Sequence, residues 1–75
     1  MTKGEMRVGI NFNPSSNKDV EFIKRRAADL IDFIDALSLS DKENVMSEQS
    51  RLKAVAIHEI ETAAMYAVKA ATKDF

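Results

Sequence analysis

Lys18, Lys24, Arg25 and Arg26 crowd into one short stretch, and Asp29, Asp32 and Asp35 follow at steps of three. On a helix this layout is reversed with respect to the macrodipole, which favours acids at the start and bases at the end. Two explanations compete. Arg25 can pair with Asp29 one turn on, a contact worth only tenths of a kcal/mol. Alternatively, Lys24, Arg25 and Arg26 hold an anion from solution. Local pairing is favoured, because short charge runs are usually solvated faces.

A second candidate lies in "SEQSR", Ser47 to Arg51. If a helix begins there, Ser47, Ser50 and Arg51 surround free backbone N–H groups, a setting that receives phosphate, and Arg51 adds a bidentate donor. N-capping plus a surface arginine is the simpler reading. Two aromatics, Phe12 and Tyr66 (the latter beside Met65), could stack on a base, although a helical aromatic is more often core. Catalysis is not supported. His58 shares a helix face with Glu61 and Thr62, but there is no nucleophile turn, no Gly-rich phosphate loop and no pair of histidines for a metal. The acidic residues are scattered on polar faces. No enzyme, metal or cofactor is implied.

The rest of the composition narrows the classes further. The chain has 75 residues, no cysteine and a formal charge of −1. A compact chain of this length buries only about 60% of the surface its unfolded form exposes. Disulfides and thiolate metal sites are excluded, which leaves oligomerisation as the staple for a small core. No overall basic field draws it to nucleic acid. No apolar run reaches the roughly 18 residues that cross a bilayer, and "MTKGEMRVGIN" is too polar for a secretory signal. The expected compartment is the cytoplasm.

These side chains need elements to hold them. Met6, Val8, Ile10 and Phe12 alternate with polar residues and glycine, so residues 1–16 read as an extended arm and cap. Pro14 turns Asn13 away from helical dihedrals, and Ser16 or Asn17 then caps a first helix over 17–37. Val20, Ile23, Ala27, Leu30, Ile34 and Leu37 form its seam. Residues 38–46 are the connection, although Ser40 and Glu43 could form a capping box that lengthens the second helix backwards. That helix covers 47–72 and carries two stripes: Ala56, Ile60, Ala63, Ala67 and Ala70, and beside them Ile57, Ala64, Val68 and Ala71. Together they exceed the roughly 100° that one partner helix covers. The fold class is therefore all-α, an antiparallel helical hairpin with a short extended N-terminal arm, whose copies pack into a bundle.

"SRLKAVAIHEIETAAMYAVKAAT" resembles the second helix of the hairpin domain shared by bacteriophage anti-CBASS and anti-Thoeris sponge proteins. The residues that carry the likeness are Ser50, Arg51, Glu61, Ala63, Ala64, Met65, Tyr66 and Ala67. "FNP" and "VEFIKRRAADLIDFID" resemble the anti-Thoeris branch. Tyr66 stands where the family commonly has Trp, and Val68 where it commonly has Asn. The resemblance implies a stoichiometric binder, not an enzyme. Such proteins sequester cyclic di- or trinucleotides or cyclic ADP-ribose derivatives, as dimers or hexamers with pockets between protomers. It carries over Arg51 as a phosphate contact; Lys24, Arg25, Arg26, Phe12 and Tyr66 are candidates from the residues themselves. The competing expectation is an oligomeric hairpin that docks a protein partner and binds no small ligand.

Overall fold

A computed structural model describes residues 1–73, and among them there are three α-helices and no strand. The first is a correction to the extended arm: α1 spans Lys3–Val8. Thr2 and Glu5 form a capping box, in which Glu5 N–H donates to Thr2 Oγ1 (3.0 Å) and Thr2 N–H donates to Glu5 Oε1 (2.9 Å). Gly9 closes the helix in the left-handed conformation (φ 64°), its N–H donating to Met6 O and that of Ile10 to Glu5 O. The apolar alternation is thus a helix followed by a turn. With no second strand to pair, local capping decides the backbone.

A tight turn leads into α2, Lys18–Asp35. Asn13 and Asn17 clasp it: Asn13 Nδ2 donates to Asn17 O (2.8 Å) and Asn17 N–H donates to Asn13 Oδ1 (3.0 Å). Between them Ser16 adopts a positive φ of 51°. Asn17 is the cap, its Oδ1 accepting from Val20 N–H. The connection is shorter than 38–46, because α3 runs over Glu43–Ala71. Its cap is Lys42, and the Ser40–Glu43 box does not form; Ser40 Oγ accepts from Lys42 N–H instead. An 18-residue helix beside a 29-residue one makes the hairpin, about 27 and 43 Å long at 1.5 Å per residue.

α2 is the central element, packed on α1 along one side and α3 along another. Its buried residues are Val20, Lys24, Ala28 and Ile31. This also corrects the expected seam: Ile23, Ala27 and Ile34 are half-buried, while Leu30 and Leu37 are exposed. The cause is α1, which runs antiparallel to α2 and claims the Ala28 face. Gly4 is buried there, and a Cβ on it would run into the backbone of Ala28. From α3 the inward stripe is Ile57 and Ala64, with Val68 and Ala71 half-buried. Ala63 and Ala70 stay exposed, so one stripe of α3 finds no complete cover within the chain.

Polar contacts fasten α1 at each end. Gly4 N–H donates to Asp32 Oδ1 (2.7 Å), and Lys3 pairs with Asp35 (3.0 Å). Glu5 pairs with Arg25 (2.9 Å) and Arg7 with Glu61 of α3 (3.1 Å). The reversed charge order of α2 now has a cause. Its late acids receive the N-terminus of α1, while Lys53 of α3 caps α2 by donating to Asp35 O and Leu37 O (2.8 and 3.0 Å).

Candidate functional site

The strongest candidate site is built around Lys24. Its residue is only 7% exposed, the single buried charge among the described residues, and no carboxylate there pairs with it. A buried ammonium must be compensated. Here the compensation comes from the turn after α1: Nζ donates to Gly9 O (2.9 Å) and to Phe12 O. The Phe12 ring lies 5.5 Å from Nζ, within the range of a cation–π contact. Phe12 as a residue is 72% exposed, which leaves it accessible to a ligand.

Lys24 lines two hollows. One, of about 270 Å³, is lined by Phe12, Asn13, Pro14, Val20, Lys24 and Val68 among others. The other, of about 240 Å³, is lined by Arg7, Lys24, Glu61, Ala64, Met65 and Val68 with Val8. Lys24 and Val68 border both. The arrangement supplies one cation without a carboxylate partner, Lys24, with an exposed aromatic residue and apolar walls, while Arg7 is already paired with Glu61 of the same lining. Chemically it suits a planar, anionic molecule.

The remaining sequence candidates are dispersed. Arg25 pairs with both Glu5 and Asp29 (2.9 Å each), as the local explanation expects. Its guanidinium pKa is raised, chiefly by the hydrogen bond to Glu5. Arg26 stacks on Phe22 at 4.8 Å, and both line a separate cleft of about 550 Å³ with Lys18 and Arg25. Ser50 and Arg51 do not stand at a helix start, which is a correction: α3 begins at Glu43, so their backbone N–H groups lie beyond the free first turn. Arg51 forms a bidentate pair with Glu48 (2.8 and 2.7 Å). That pair lowers the Glu48 pKa. Ser50 lines a shallow hollow with Lys3, Arg7 and Lys53. Tyr66 is exposed, not core. Among the described residues His58 makes no acid pair: Glu61 is held by Arg7, and Thr62 Oγ1 donates to the His58 carbonyl.

A family model described as "Acb2/Tad1, hairpin domain" matches residues 3–72. The chain belongs to that family. Comparison with curated proteins and with solved structures gave no match.

In this Acb2/Tad1 hairpin, four residues of the stretch that carried the resemblance, Glu61, Ala64, Met65 and Val68, line the hollow beside Lys24. The match also begins at Lys3, so α1 belongs to the domain. Gly4, Gly9 and the Thr2–Glu5 box were not singled out from the sequence, yet they position the turn that holds Lys24. "TKGE" is a Thr-x-x-Glu capping signal, and Gly9 follows at the distance expected of a C-terminal cap. No group of His, Asp and Glu that could hold a metal occurs among the described residues, and no helix is long and apolar enough to cross a membrane.

Proposed function

We propose that this protein is a sponge, a binder that sequesters a cyclic di- or trinucleotide or a cyclic ADP-ribose-type signal in the cytoplasm without turning it over. Membership of the Acb2/Tad1 hairpin family supports the class of role, immune evasion by a phage. The observation that carries the site is Lys24, a buried ammonium with no carboxylate partner beside the exposed Phe12 ring. A phosphate can approach Lys24, and a base can stack on Phe12. The functioning unit is a homo-oligomer, dimer or hexamer, whose neighbouring protomer covers the ligand.

Calorimetry against a panel of cyclic di- and trinucleotides and cyclised ADP-ribose products tests this reading. Saturable binding is expected, with the ligand recovered intact after heat denaturation of the protein. Phe12→Ala should weaken it by about 1–3 kcal/mol, the range for loss of one base-stacking contact. Full affinity in that variant would remove the site. Binding of no panel member would favour the second reading, a hairpin that docks a protein partner through its exposed apolar side chains. Products accumulating with time would mean an enzyme.

A further inference from the structure

Glu61 is an unexpected side chain in a hollow suited to an anion. It lines the hollow of about 240 Å³ together with Lys24, Met65 and Val68. A carboxylate at that position repels phosphate, so attraction of an anion does not account for it. The group is half-buried and held from one side: Arg7 Nη1 donates to its Oε1 at 3.1 Å. Its Oε2 accepts no hydrogen bond among the described residues, and Oε1 retains a second lone pair. The acceptor edge is therefore oriented by the fold and only partly used by it.

We infer that Glu61 is a specificity-determining residue, which reads a base of the sequestered nucleotide and selects guanine. The inference rests on the proposed sponge function and names the base its site takes. An ionised carboxylate only accepts hydrogen bonds, so a base set against it must present donors. Guanine presents two side by side on its Watson–Crick edge, the ring N1–H and the exocyclic amino group. Adenine and cytosine place an amino group next to a ring nitrogen that carries a lone pair, which a carboxylate repels. Uracil offers a single N–H between two carbonyls. Lys24 and Val68 line both hollows, which assigns the parts of a cyclic dinucleotide. With a phosphate at Lys24, one base stacks on Phe12 and the other enters between Met65 and Val68 towards Glu61. The wrong base there leaves a polar edge unmatched, the kind of mismatch that separates ligands most strongly. Guanine-bearing cyclic nucleotides satisfy the site, whereas a cyclised ADP-ribose carries adenine and does not.

Three cyclic dinucleotides that differ only in their bases test the assignment by calorimetry. One carries two guanines, one two adenines and one two hypoxanthines, which keep N1–H and lack the amino group. The wild type should bind the guanine form about tenfold or more tighter than the adenine form, with hypoxanthine between them. Glu61→Gln keeps the shape but offers one acceptor and one donor, a match for the adenine edge, and should erase most of that ratio. Circular dichroism checks that the variant is folded; if it is not, the wild-type series decides alone. Equal affinity of the wild type for guanine and adenine forms overturns the assignment. So does tighter binding of a cyclised ADP-ribose than of the guanine form, or a folded Glu61→Gln variant that keeps the wild-type ratio. Each of these leaves sequestration standing. Binding of none of these molecules overturns the sponge reading and the base assignment together.

Discussion

Lys24 ties the turn after α1 to the proposed ligand site. Its ammonium fixes the turn at residues 9–12 through two carbonyls, and it borders both hollows. Lys24→Met keeps the bulk and removes the charge. Stability should fall by about 1–3 kcal/mol, the cost of leaving the carbonyls without a charged donor, as read in a urea melt. Arg51→Ala is the contrast. The exposed pair with Glu48 is worth under about 1 kcal/mol, and Arg51 is not among the residues lining the two hollows, so binding by calorimetry should barely change. At this scale the sequence was legible in part. Phe12 and Lys24 were visible as an aromatic and a cation, but nothing in their spacing of twelve showed that a chain reversal joins them. Arg25 and Asp29 were legible because one helical turn separates them. Arg51 was misplaced because the start of its helix was.

Elements were read correctly where the apolar period was long and misread where capping decided. α2 and most of α3 follow from their stripes. α1 does not, because six residues are too few to show a period and an isolated helix of that length is marginal in water. It persists by docking. Gly4→Ala should therefore release it: the new methyl meets backbone, which cannot yield as a flexible side chain would. Hydrogen exchange should rise over residues 3–13 while α3 stays protected. Acid should act on the same element. The Thr2 N–H and then the Arg25 guanidinium hold the Glu5 pKa below its ordinary value, and the hydrogen bond from Lys3 does so for Asp35. Carboxylates depressed in the folded state contribute stability that is present at neutral pH and lost as pH falls through their folded values. α1 should therefore loosen below about pH 4.5, the ordinary range for these groups. Melts and amide exchange across that range would show it; α1 protection unchanged at pH 3 would count against this account.

As a whole the molecule is long and thin, 50 × 22 × 12 Å across its Cα atoms. Among the described residues its buried apolar core is Val20, Ala28, Ile31, Ile57 and Ala64. So small a core is marginal without further burial, which the proposed homo-oligomer would supply. The melting temperature should therefore rise with protein concentration, because a reaction that consumes free monomer stabilises the folded chain by mass action. Calorimetric scans over a hundredfold dilution would read this directly, and a constant midpoint would indicate a self-sufficient monomer. The surplus of apolar surface was legible in the sequence as a second stripe on α3. Which surface stays open was not, because α1, read as an arm, takes one face of α2 and turns Leu30 and Leu37 outward.

The anchoring of Lys24 by main-chain carbonyls has an evolutionary side. A carbonyl is present whatever residue stands at a position, so the side chains at 10, 11 and 12 can be exchanged without withdrawing the acceptors. Scaffold and rim are thereby uncoupled: Thr2, Gly4, Gly9 and Lys24 hold the loop, while its outward residues can vary to suit a new ligand. Under the proposed sponge role, a host that altered the chemistry of its signal could be answered by substitutions at the rim alone, with no change to the helices beneath.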